Sequence, residues 1–118
     1  MIYETKTFDH LLGTVGFSDR LLKNHFTLYQ GYVTQTNKLT ETLMQMVNEG
    51  KTTTPEFAEL KRRFGWEFNG MRLHELYFAN MNKVSVPLDV KSTFSKKLLE
   101  QMGTFEMFEK AFKAVGSM

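Results

Sequence analysis

Two long stretches of the chain carry apolar residues at the three- and four-residue spacing of an α-helix. The first stretch follows Ser18, whose hydroxyl suits a helix N-cap, and continues for about thirty residues to Gly50. The second follows Thr54, with a proline at the first helical position, and runs to about Ala79 or Met81. Because only a short linker separates the two stretches, the pattern predicts a long antiparallel helical hairpin.

Two shorter helices are predicted after the hairpin. Residues 90–102 form one amphipathic segment, with Gly103 suited to its C-cap. A second segment follows Thr104 as N-cap and ends near Gly116. Its apolar side consists of three aromatic residues at helical spacing: Phe105, Phe108 and Phe112. Helices this short and one-sided need a surface to pack on, supplied by the hairpin, by a partner or by further chain.

The predicted fold is therefore all-α, with a long antiparallel hairpin within residues 1–84 and two short helices within residues 85–118. Before the hairpin, residues 1–17 are expected to be an irregular segment with a short helical turn at residues 8–12. This segment contains His10, to which the pattern assigns no role. Gly31 interrupts the first long helix, so a bend or a close neighbour is expected there.

Composition narrows the classes of function. With 118 residues, 42% of them apolar, one small domain is the default, and a net charge of +2 spread along the chain gives no basic stripe for nucleic acid. The absence of cysteine excludes disulfides, thiolate metal sites and cysteine nucleophiles. No apolar run suits a signal peptide or a membrane span, so a soluble cytoplasmic protein is expected.

Two of the three histidines, His25 and His74, are predicted to lie at nearly the same height on the facing hairpin helices. Helical bundles build metal sites from such inward-facing ligands, but two histidines supply only part of one. The neighbouring carboxylate of Glu75 would point about 100° away from His74. Spacing alone therefore favours partly buried histidines with local hydrogen bonds, and a metal site is the alternative. Tyr29 and Tyr32 are interpreted first as core or edge aromatics.

Three motifs in order give the chain a resemblance to the iron/manganese superoxide dismutase family. Within residues 25–37, a histidine is followed by the tyrosine–valine pair Tyr32-Val33 and by Asn37. Residues 69–78 combine an Asn-Gly pair with His74 and the aromatic run after it, and residues 104–117 are similar to the family's "SFEAF" helix. The resemblance covers most of the chain.

The resemblance implies a hairpin followed by an α/β domain, with one iron or manganese ion bound by a histidine from each hairpin helix and by an aspartate and a histidine from the second domain. His25 and His74 would be the hairpin ligands, and Tyr32 the tyrosine that guards the substrate funnel. Gly70 stands where manganese enzymes have glycine and many iron enzymes glutamine. His25 precedes Tyr32 by seven residues instead of eight, so gap-free alignment places Asn24 at the ligand position, and loss of a one-residue helical bulge would restore His25.

The resemblance also implies an incomplete site, because the aspartate and histidine of the second domain have no counterpart in the chain. Residues 85–118 would be the helical start of a truncated α/β domain. Dismutation of superoxide would then require ligands from further chain or from a partner. Exposed apolar helix faces predict a homo-oligomer or a heteromeric complex, with neither nucleic acid nor membrane as partner. The alternatives are a non-catalytic interaction subunit derived from the same fold, and an unrelated helical hairpin without metal.

Overall fold

Four α-helices make up most of the computed structural model, which describes residues 2–118. The long helices are α1, Asp19–Asn48, and α2, Pro55–Ala79, and they pack on each other as a hairpin. The short ones are α3, Thr93–Met102, and α4, Phe105–Gly116. The prediction of an all-α fold is confirmed, since residues 2–118 contain no strand.

The two long helices begin and end where their local signals predict. The hydroxyl of Ser18 accepts a hydrogen bond from the amide of Leu21 at 3.2 Å, and the hydroxyl of Thr54 accepts one from the amide of Phe57 at the same distance. Each bond satisfies a first-turn amide that has no partner within its helix. Gly50 follows α1 with φ +71°, a conformation that glycine adopts without a steric penalty.

The third helix begins later than the predicted residue 90. The hydroxyl of Ser92 accepts from the amide of Ser95 at 3.1 Å, so Ser92 is the N-cap and Thr93 the first helical residue. Ser95 in turn donates its hydroxyl hydrogen bond to the carbonyl of Asp89. Because this contact folds the preceding residues back onto the first turn, they cannot continue the helix.

The segment before α1 is part of the core and not only an irregular lead-in. It contains a 3₁₀ turn at Asp9–Leu11, within the predicted short turn, and the side chains of Phe8 and Leu11 are buried against α1 and α2. Further upstream, the amide of Tyr3 donates to Oδ1 of Asn37 at 2.8 Å, and Nδ2 of Asn37 donates to the carbonyl of Tyr3 at 2.9 Å. The segment therefore runs along the hairpin as an additional packed layer.

The chain divides into two compact units, Met1–Val84 and Ser85–Met118. The first unit has a well-filled aromatic and aliphatic core, in which Tyr29, Met71 and Phe78 are completely buried. The second unit consists of α3 packed on α4, where burial is confined to Ser95 and Leu98 of α3. No residue of α4 is buried.

Of the two alternatives predicted for Gly31, a bend or a close neighbour, the close neighbour is not found. A Cβ added at this position would meet nothing within 4 Å, because Gly31 lies on the exposed side of α1. The close approach of the two long helices occurs instead at Gly70 of α2.

Crossing a membrane demands more length and apolarity than any helix within residues 2–118 has.

Candidate metal-binding site

The imidazoles of His25 on α1 and His74 on α2 lie side by side. Their ring centroids are 4.8 Å apart and the rings meet at 82°, edge to face. Both side chains are half-buried at the wall of an open recess of about 310 Å³, which Leu73 and Tyr77 also line. The antiparallel hairpin thus brings together the two histidines that lie 49 positions apart in the sequence.

A hydrogen bond within α2 determines which nitrogen of His74 could bind a metal ion. Nδ1 of His74 lies 2.6 Å from the carbonyl oxygen of Gly70, one helical turn earlier. A carbonyl only accepts, so Nδ1–H is the donor and the neutral ring keeps its lone pair on Nε2. Metal-binding histidines commonly have this arrangement, in which one nitrogen is held by the backbone and the other is free to bind.

His25 is also in a state suited to metal binding. Burial, the larger influence, and the nearby His74 ring both lower the pKa of His25 below its ordinary value. The neutral form of His25 is therefore favoured near pH 7, and a neutral imidazole is the form that coordinates metals.

Tyr32 lies beside this pair of histidines. Its ring centroid is 5.1 Å from that of His74, and its ring carbons press on the backbone of Gly70. Tyr32 is half-buried and borders a second open recess, with Arg63 and Trp66 on the α2 side. The three residues that the sequence singled out are thus next to one another in the structure.

Of the two residues that sequence alignment offered for the α1 position, His25 is the one that faces α2. Its ring contacts those of His74, Tyr77 and Phe78, with centroids about 5 Å apart. Asn24 is exposed to solvent. His25, and not Asn24, therefore lies beside His74, and α1 is a continuous α-helix through both positions.

In the part of the chain that the structure describes, no third candidate ligand lies with the two histidines. Within residues 2–118, no group of three or more histidine, cysteine, aspartate or glutamate side chains is placed to hold a metal ion. Glu75, the nearest acid in sequence to His74, is buried and points elsewhere. Its carboxylate accepts hydrogen bonds from the hydroxyl of Tyr29 at 3.1 Å and from Nζ of Lys6 at 2.9 Å, and it pairs with Arg72.

Charge compensation keeps Glu75 ionised. Burial, the largest single influence, raises the pKa of Glu75, but the hydrogen bonds from Lys6 and Tyr29 and the charges of Lys6 and Arg72 together bring this pKa below its ordinary value. The pKa of Tyr29 is raised, first by burial and also by the adjacent carboxylate. Glu75 is therefore a paired carboxylate of the hairpin interior and not a free donor for a metal.

Sequence reasoning missed this network, although a signal for it was present. Glu75 lies four residues after Met71 and three before Phe78, which places it on the core-facing side of α2. A charged residue on that side needs partners of opposite charge or hydrogen bonds. The same holds for Glu67, which is buried one turn before Met71 and accepts a hydrogen bond from Nε of Arg63 at 2.7 Å.

Comparison with known proteins yields no relative for this chain: no protein-family model, no curated protein and no solved structure matches it. The class of the molecule is therefore defined by its own structure, an all-α helical hairpin with a pair of imidazoles between its two long helices.

Proposed function

We propose that this chain carries half of a superoxide dismutase-like metal centre, with His25 and His74 as ligands of one iron or manganese ion and Tyr32 at its border. The observation that carries the proposal is the convergence of two imidazoles from α1 and α2, with centroids 4.8 Å apart, on an open recess. The sequence resemblance to iron/manganese superoxide dismutases supports the same pair.

The separation of the rings fits two ligands on one ion. A nitrogen about 2.0–2.1 Å from a metal places the imidazole centroid roughly 3.2 Å from it, so two ligands at angles of about 90° to 110° have centroids roughly 4.5 to 5.2 Å apart. The observed 4.8 Å lies in this interval. Packed aromatic rings have similar separations, so the distance does not by itself distinguish ligands from packed rings. The free Nε2 of His74 and the open recess beside it favour metal ligands.

A bound iron or manganese ion would supply the one-electron redox chemistry that dismutation of superoxide requires. The chain's own residues would hold and orient it. The carbonyl of Gly70 fixes the His74 ring, and the absence of a side chain at Gly70 lets Tyr32 lie against the site. Since residues 2–118 place only these two candidate ligands together, the activity would depend on donors from further chain or from another polypeptide. The lack of cysteine fits a reducing compartment such as the cytoplasm.

A second candidate function is a non-catalytic interaction subunit. It is favoured by the exposed apolar side chains near the histidines, with Leu73 63% and Tyr77 45% exposed, and by those of α4, where Phe112 is 69% exposed. Apolar side chains in contiguous exposed groups are typical of protein interfaces. In this case the histidines would serve packing and hydrogen bonding alone.

Metal analysis of tag-free protein, purified alone and with whatever co-purifies, tests the proposal together with a superoxide-consumption assay. Iron or manganese bound in the wild type and in His10→Ala, but absent from His74→Ala, is the expected result. His10 is the matched control, because it is the remaining histidine and lies outside the recess. Metal retained by His74→Ala would overturn the proposal. A metal-free protein with a stable partner would overturn it and favour the interaction subunit.

A further inference from the structure

We infer that a second copy of this chain supplies the missing donors, so that His25 and His74 of two copies bind one divalent metal ion across a two-fold axis. The inference rests on the proposed function only in taking these two histidines as metal ligands. The new elements are the partner, a second copy of the chain, and the ligand set, four imidazoles.

Within its described residues, one copy of the chain supplies only two of the donors that a metal ion needs. Each copy offers two imidazoles on one wall of the recess, and residues 2–118 add no third ligand. Four-coordinate ions such as Zn²⁺ accept nitrogen ligands in a tetrahedral arrangement, and imidazole also suits other first-row metals. Two copies related by a two-fold axis through the ion provide four imidazole nitrogens in two symmetry-related pairs, so the second copy supplies the two donors that one copy lacks.

The site is accessible from solvent on one side. The recess that contains both rings opens to solvent, and its remaining lining is Leu73 and Tyr77. An ion held by His25 and His74 therefore has its other side turned outward. Donors must come from outside the hairpin, because Glu75, the acid adjacent to His74, is held in the interior by Lys6 and Tyr29.

The surface around the recess allows a second copy to approach. Four exposed apolar side chains lie within a turn of the histidines on the two helices: Leu21, Leu28, Leu73 and Tyr77. In a two-fold interface the same surface patch of both copies is in contact, so a patch of one charge sign would repel itself, whereas an apolar patch is self-complementary. Closed two-fold dimers are also the commonest oligomers of soluble proteins. These properties favour a second copy over an unrelated partner.

Zinc titration of tag-free, chelator-treated protein tests the inference, with sedimentation velocity and metal analysis as measurements. We expect a conversion from monomer to dimer that is complete at one Zn²⁺ per two chains and is reversed by EDTA. Co²⁺ in place of Zn²⁺ should give the intense visible bands of a tetrahedral site. His25→Gln and His74→Gln should each lose the dimer and the bound metal, whereas His10→Gln should retain both, with circular dichroism confirming that all three are helical.

The outcomes separate this inference from the proposed function. One Zn²⁺ per chain in a monomer would overturn the inference and leave a metal half-site in place. No zinc, iron or manganese bound by any form would overturn both. A dimer that forms equally well in EDTA would overturn the metal bridge.

A surface variant adds a test that leaves the ligands intact. Leu28→Arg places a positive charge about one turn from His25, where two copies would bring like charges together, and we expect at least tenfold weaker zinc-induced dimerisation. Val47→Arg is the matched control, because Val47 is a similarly exposed apolar residue near the other end of α1. Equal effects of the two substitutions would overturn the assignment of this face.

Discussion

The ring of Tyr32 on α1 lies directly against the backbone of Gly70 on α2. A Cβ added at Gly70 would approach three ring carbons of Tyr32 to less than 3.0 Å. The same Gly70 provides the carbonyl that holds Nδ1 of His74. One glycine thus sets both the packing distance of the two helices beside the site and the orientation of a candidate ligand.

Gly70→Ala should destabilise the fold. Although alanine has the higher helix propensity, the added methyl group must displace the Tyr32 ring, and overpacking of this kind costs about 1–3 kcal/mol. Gly65→Ala is the control in the same helix, because a Cβ there would meet nothing within 4 Å. It should stabilise by up to about 1 kcal/mol. Urea denaturation measures both changes.

A second substitution identifies the cause. In a Tyr32→Ala background the ring that opposes the new methyl group is gone, so Gly70→Ala should become neutral or stabilising. If Gly70→Ala is as harmless as Gly65→Ala in the wild-type background, the close contact does not limit the packing of the hairpin.

The carboxylate of Glu75 is expected to contribute to stability through its partners. Glu75→Gln removes the buried charge that pairs with the exposed side chains of Lys6 and Arg72, and it replaces one acceptor oxygen by an amide nitrogen at a buried position. A buried polar group without a suitable partner costs about 1–3 kcal/mol. The exposed pair of Lys97 and Glu100 supplies the control, and Glu100→Gln should change the free energy of unfolding by less than about 0.5 kcal/mol.

Tyr29→Phe removes the hydroxyl that donates to Glu75 and accepts from the amide of Lys6. A double-mutant cycle with Glu75→Gln should give a coupling energy of at least about 0.5 kcal/mol, because the two groups share one network. Additive effects would mean that the two groups act independently.

The two hydrogen bonds between Asn37 and Tyr3, here called the Asn37–Tyr3 clamp, predict a local effect of substituting Asn37. Asn37→Ala deletes the two hydrogen bonds between Asn37 of α1 and Tyr3 of the N-terminal segment, which should cost about 1–3 kcal/mol in total. Amide hydrogen exchange should become faster at Tyr3, whose donor loses its acceptor, and remain unchanged in the middle of α2. Thr34→Ala is a suitable control, since the Thr34 hydroxyl bonds only within its own helix. Unchanged exchange at Tyr3 would contradict the role of this clamp.

The helices could be predicted from the sequence because their signals are local. Ser18 and Thr54 each cap a helix through a bond to an amide three residues later, and the apolar spacing needs only one helix to be recognised. The start of α3 was predicted at residue 90 because helical spacing extends to that position, whereas Ser92 is the N-cap and Thr93 the first helical residue. The hydrogen bond from the hydroxyl of Ser95 to the carbonyl of Asp89 keeps the preceding residues outside the helix.

The candidate site was less predictable because it depends on contacts between distant segments. Spacing placed His25 and His74 at similar heights, and the hairpin does bring them together. Spacing gave no indication that the Tyr32 ring would pack against Gly70, or that Lys6 of the N-terminal segment would donate a hydrogen bond to Glu75. Both depend on how α1, α2 and that segment pack, which helical periodicity leaves open.

The two units of the chain should differ strongly in local stability. In the first unit, Tyr29 and Phe78 are completely buried, so amides near them should exchange only through large-scale unfolding. In the second unit, α4 has no buried residue, and a helix of 12 residues is marginal without packing. Amides of α4 should therefore exchange orders of magnitude faster than those at the centre of α1. Hydrogen exchange measured by NMR gives both rates in one sample. Slow exchange throughout α4 at all protein concentrations would contradict this, whereas protection that increases with concentration would indicate that its exposed side is covered by a second copy.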